Sequence, residues 1–262
     1  MSTATVEEID TSRPGVPLSR LVKVELRKMF DTRSGFWLMM SIGIIAALAT
    51  VGVILFVPNE DLGYGVFGAA VGFPMAILLP IVAILSVTGE WSQRTGLITF
   101  TLVPNRSQII LAKALAAIGV AVGSMFLAFA IGALGNVVGS AINGVDLVWD
   151  MNVADMFWII FANVLGLMVG FMLGVLIRNT PGAIVAYFVY SFVLPTIFAI
   201  TAELVNWFKD LQPWVDFNYA QTPLFDGALD GEQWAQLGVS GLVWLVIPLT
   251  IGVWAVLRSE VK

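Results

Sequence analysis

Residues 153–177 read VADMFWIIFANVLGLMVGFMLGVLI, a run of 25 residues in which Asp155 is the only charge. About 20 consecutive apolar residues cross a hydrocarbon core as one α-helix. A barrel strand would instead alternate apolar and polar residues over about ten positions, and this run does not alternate. Five more runs share the pattern, at residues 36–57, 66–88, 109–135, 181–203 and 237–257. Around the third, apolar and small residues continue towards Ile142. The composition agrees: 58% of the 262 residues are hydrophobic and 12% charged. A soluble domain carries about 25% charged residues, which excludes an ordinary globular protein. Disorder is excluded because so much apolar surface cannot stay in water. The expected fold is an all-α polytopic membrane protein with six transmembrane helices in a domain over residues 36–257. Ala47-Leu48-Ala49 mimics a signal-peptide cleavage site, but 35 residues precede the first run. That run also exceeds an h-region in length, so it is read as a retained span.

The cations set an expected direction. Of the thirteen Lys and Arg, all but Lys209 fall before the first run, between runs two and three or at the leading edge of run three (Lys113), between runs four and five, or after the last. Lys and Arg accumulate on the cytoplasmic side. Both termini are therefore expected in the cytoplasm, with the short 258–262 tail among them. The opposite side holds eleven acidic residues against one lysine. Such a face can draw cationic compounds, or can serve only to keep the surface solvated.

Missing residue types remove several chemistries. The chain has no Cys and no His, hence no thiol nucleophile, no imidazole base and no usual metal ligand. No lysine precedes Ser or Thr in a Walker A arrangement, and no Gly-x-Ser-x-Gly elbow occurs. The chain is expected to be no enzyme by itself, with no catalytic residue, no metal and no cofactor. No run carries a charge near its midpoint, which argues against a proton- or sodium-driven carrier. Lys113 lies close enough to a cytoplasmic end to snorkel. Asn163 is the clearest buried amide, suited to an interhelical hydrogen bond or to a place in a substrate pathway. Gly166, Gly170 and Gly174 repeat every four residues in run four, as Gly68 and Gly72 do in run two. Small residues so spaced let helices approach closely, within the bundle or between subunits. Pro74, Pro80, Pro195 and Pro248 are expected to kink runs two, five and six.

Residues 1–17 are polar, broken by Pro14, Gly15 and Pro17, and read as a flexible tail. Residues 18–34 then form an expected amphipathic interfacial helix. Leu18, Leu21, Val22, Leu26, Met29 and Phe30 make its apolar stripe, with Arg20, Lys23 and Arg27 opposite. Glu25 falls on the apolar face, where a carboxylate needs a partner. Arg33 or Arg94 could supply it internally, or another subunit could. Between runs two and three lies GEWSQRTGLITFTLVPNRSQ, residues 89–108. It reads as a short polar helix, a break at Gly96, an apolar segment, and a Pro104-Asn105 turn before Ser107 caps run three.

Gly89-Glu90-Trp91, Arg94-Thr95-Gly96, Pro104-Asn105-Arg106 and Lys113 together resemble the corresponding stretch of type-2 ABC transporter permeases. The Leu21–Arg33 segment, with Glu25 and Lys28, is similar to that family's lead-in helix. Arg178-Asn179-Thr180-Pro181-Gly182-Ala183 resembles its tight inner turn, and Leu257–Val261 its closing Arg-Arg-Asp-Val, departing from it at Ser259 and Glu260. The resemblance covers nearly the whole chain. It implies a plasma-membrane exporter built from two permease subunits, as homodimer or heterodimer, and two separate subunits that bind ATP and Mg. It implies no nucleic-acid partner. It also implies that the loop after span two seats a coupling helix in an ATPase groove. Glu90, Trp91, Arg94, Thr95 and Gly96 become coupling candidates by that carry-over, and Glu25 and Lys28 candidates for the lead-in helix contact. A stand-alone carrier or channel, or a membrane anchor or immunity-type protein that transports nothing, are the other classes. They would lack an ATPase companion. The cargo is not legible in the sequence.

The last outer loop, about residues 204–236, is the longest. Leu204, Phe208, Leu211 and Val215, with Trp207 and Trp214, predict an amphipathic segment at the outer interface. Asp230 followed by Gln233 predicts the cap of a helix feeding span six.

Overall fold

The computed structural model describes residues 16–31, 33–92 and 105–258. Arg94, Thr95 and Gly96, and the closing Ser259 and Glu260, lie outside these. Helix accounts for 89% of the described residues, and no strand occurs among them. In chain order the helices are α1 (Leu18–Asp31), α2 (Arg33–Phe56), α3 (Tyr64–Ser92), α4 (Arg106–Asn143) and α5 (Val153–Ile177). They continue as α6 (Thr180–Leu204), α7 (Asn206–Val215), α8 (Phe217–Gln221) and α9 (Gly231–Arg258). Six of these, α2 to α6 and α9, are long and apolar enough to cross a membrane.

Local chemistry sets the helix ends. Asn105, rather than Ser107, is the N-cap of α4: its side chain accepts from the Gln108 N–H, while the Ser107 hydroxyl donates to it at 2.6 Å. At its other end α4 continues past the expected residue 135 and stops at Gly144, whose φ of 66° is open to glycine without steric cost. Its 38 residues make a rod of about 57 Å, longer than the hydrocarbon core is thick. Asn152 and Asp155 form a reciprocal capping box at the start of α5, as Asp230 and Gln233 do for α9. Arg178 ends α5 in the left-handed region, and the Asn179 side chain then caps α6 ahead of Pro181. Two helices are thereby joined by two residues.

Helices α3 and α5 form the centre. Half of the most apolar window of α3 and 56% of that of α5 are buried, against 17% for α6 and 22% each for α2 and α9. The glycine stripe explains their closeness. A Cβ built on Gly170 would sit 2.5 Å from the Pro80 carbonyl oxygen, and one on Gly174 would sit 3.2 Å from the Val87 Cβ. The partner of the stripe is therefore α3, and the paired positions advance together, so the two helices run parallel. Gly166 departs from the expectation, because an added Cβ there meets nothing within 4 Å. Gly72 is open in the same way, whereas Gly68 makes room for the Met151 side chain.

The prolines act in two ways. Pro80 lies inside a continuous α3 and leaves the Ala76 carbonyl without its helical donor; the Tyr187 hydroxyl donates to that oxygen at 2.7 Å. Before Pro195 and Pro248 the chain widens into π-turns at Val189–Val193 and Leu242–Val246. In the first of these the Leu194 N–H bonds to Val189, five residues back. The Tyr190 carbonyl would then need a donor from Pro195, which has none, and the Asn218 side chain supplies one at 3.2 Å. Helix α8 is thus hydrogen-bonded back onto the spans, and the Trp244 indole donates to Val215 at 2.6 Å beside it.

Candidate functional site

Four charges of alternating sign close into a ring at the end of the bundle that carries α1. The Lys113 ammonium lies 2.6 Å from Glu25 Oε2 and 3.1 Å from Glu90 Oε1. The Lys28 ammonium lies 2.7 Å from Glu25 Oε1 and 3.0 Å from Glu90 Oε1. Lys113 also donates to the Ser86 carbonyl at 3.1 Å. The ring joins α1, which bears Glu25 and Lys28, to the last turn of α3, which bears Glu90, and to the third turn of α4, which bears Lys113.

Each helix contributes for a sequence reason. In α1, Glu25 shares its face with Val22, Leu26 and Met29, and that face packs on the core. Phe30, expected in the same stripe, is half exposed. The carboxylate is carried inward with its apolar neighbours, to 6% residue exposure. In α3 and α4, Glu90 and Lys113 follow long apolar runs and are buried as those runs pack. An isolated buried charge would be prohibitive; two cations and two anions in mutual contact offset that cost, and none of the three buried members stands alone.

Two expectations are corrected here. The partners of Glu25 are Lys28 and Lys113 rather than Arg33, and Arg94 lies outside the described residues. Lys113 does not snorkel, since its side chain is 5% exposed and is held by the ring. The signal was present in the sequence: Lys113 is the only lysine within a run and Glu25 the only acid on the α1 stripe, so an unpartnered cation and anion lay at one membrane edge. Trp91, beside Glu90, is half-buried against the core. Arg94, Thr95 and Gly96 cannot be placed with it, being outside the described residues.

Lys28 is the ring's opening to solvent, with a side chain 44% exposed. Burial alone would lower its ammonium, but the hydrogen bond and charge of Glu25, with those of Glu90, outweigh this and hold it above its usual value. Other bonds close the same end. Arg106 donates to the Val256 carbonyl at 3.3 Å, joining α4 to α9, and the Thr88 and Thr180 hydroxyls meet at 2.7 Å between α3 and α6.

Asn163 lies elsewhere, in the interior of α5 and 3% exposed. Its amide donates to Ile159 of its own helix at 2.9 Å, not across helices as expected. Its Oδ1 has no partner among the described residues. Among those residues, too, no group of three acidic side chains is arranged to hold a metal ion. The chain matches no known family model, and no curated protein matches it.

Proposed function

We propose that this chain is the membrane-spanning subunit of an ATP-driven exporter of the type-2 ABC class, working with separate ATP-binding subunits and a second permease subunit. Its charged end, with both termini, faces the cytoplasm, and it resides in the plasma membrane. The observation that carries the reading is the Glu25–Lys28–Glu90–Lys113 ring. Glu90 lies two residues before the described part of α3 ends, at the start of the stretch that the resemblance makes the coupling loop. Through the ring, a push on that loop reaches α1 and α4 directly. Buried ion pairs hold a fixed geometry, because separating them exposes uncompensated charge. The three helices then move together when partner ATPases close, and the bundle exchanges inward-open and outward-open packings. Residues of this chain bind no nucleotide in this mechanism; they receive motion and transmit it.

Isolation from native membranes in mild detergent tests the reading. The chain is expected to emerge with an ATPase subunit whose hydrolysis depends on it. Recovery without any ATPase, with no adjacent reading frame encoding one, defeats the proposal. Charge reversal at Arg94 combined with Glu90→Ala should uncouple ATP hydrolysis from transport, and unchanged coupling would remove these residues from the coupling role.

A further inference from the structure

At the opposite end of the bundle a cavity of about 410 Å³ opens between α3, the start of α5 and the turn that precedes α9. This lies within the range of about 300–1,000 Å³ typical of small-molecule sites. One wall is the small-residue face of α3 around Gly72, where no atom lies within 4 Å of an added Cβ, so the space beside it is open. Phe73 of α3, Ile159 of α5 and Phe225 complete the apolar surface, and Phe73 is 68% exposed. On the loop side stand Asp150, Asp155 and Asp226, and no Lys or Arg is among the residues that line the space. Two of these carboxylates are held by backbone N–H groups: Asp150 by Gly65 at 2.6 Å, and Asp155 by Asn152 at 3.1 Å.

We propose that this cavity binds an organic cation with an apolar body. Carboxylates on one side of an open apolar space repel anions and attract cations, and charge complementarity of this kind selects the sign of the ligand. Two phenyl rings in the wall add faces that attract a diffuse positive charge. A small inorganic ion would leave the apolar wall uncovered, and a neutral apolar molecule would leave the carboxylates unused. The ligand chemistry that satisfies both sides is a cationic centre carried on apolar groups. This deepens the exporter reading by naming a substrate class and rests on it only there. Binding is measured on the chain alone, so either can fail without the other.

The test uses the purified full chain in nonionic detergent and equilibrium dialysis with tetraphenylphosphonium. Tetraphenylborate, of the same shape and opposite charge, is the control. Saturable uptake of the cation and not of the anion is expected. Asp226→Asn, at an exposed loop position, should weaken cation binding by up to about fivefold, the worth of one exposed ion pair. Gly72→Leu, which places a side chain in the open space, should abolish it. Equal uptake of the two ions, or cation binding that neither substitution changes, overturns the proposal. Displacement by phosphatidylethanolamine also overturns it and assigns the cavity to a lipid headgroup. If Gly72→Leu does not fold, Asp226→Asn decides.

Discussion

Lys113 is where a single side chain matters most in this molecule. Its ammonium, 5% exposed, meets two carboxylates and a backbone carbonyl. Lys113→Met should destabilise the chain by about 3–5 kcal/mol, since it leaves Glu25 and Glu90 buried with one cation between them. Pairing it with Glu25→Gln should recover part of that loss, and thermal unfolding of the detergent-solubilised variants, read as a double-mutant cycle, checks both. Lys28 yields a different prediction, because it titrates within reach of solvent. Its folded-state value is raised above the ordinary 10.5, so its contribution is complete below that pH and is lost as pH rises through the raised value. Thermal stability followed from neutral into strongly alkaline solution should fall there, and Lys28→Met should remove part of the fall. Of this ring, the sequence singled out Glu25 as an acid on an apolar face needing a partner. The identity of that partner was hidden, because Lys113 is 88 residues away and only helix packing brings the two together.

At the scale of elements, the α3–α5 contact organises the bundle. Gly170 lies where backbone meets backbone, so a larger side chain cannot be accommodated by a rotamer change alone. Gly170→Val should therefore pry the two helices apart, with a cost of about 1–3 kcal/mol or more and a matching loss of folded protein on size-exclusion chromatography. Gly166→Ala, which meets open space, should leave the elution profile unchanged. The four-residue glycine spacing was legible in the sequence, whereas the partner helix was not, since the motif describes one surface of a two-sided contact. The prolines behave similarly. Pro80 in run two announces a freed carbonyl, but the donor that satisfies it, Tyr187, belongs to another span. The widened turns before Pro195 and Pro248 have no local signature beyond the proline itself. Whether the backbone widens there depends on what its neighbours can hydrogen-bond.

Over the whole molecule, charge is divided between two ends that the apolar spans keep apart. The absence of cysteine gives the direction of insertion a clean test. A single cysteine at Ala228, exposed at one end, should react with a membrane-impermeant maleimide on intact cells; one at Ser19, exposed in α1, should react only after permeabilisation. The reverse pattern would invert the orientation and remove the coupling role proposed for the charged end. The number of spans, their helical character and the cap at Asp230 follow from the sequence because each rests on local physics. Apolar length decides what can cross a bilayer, backbone groups in lipid must bond within their own helix, and a cap is made by residues three apart. The ring of four charges, the pairing of the glycine stripe with α3 and the cavity between α3, α5 and the far loops were decided only by the tertiary structure. Each depends on groups distant in the chain whose meeting is set by how helices pack, and a sequence pattern on one helix shows the face to be covered without naming what covers it.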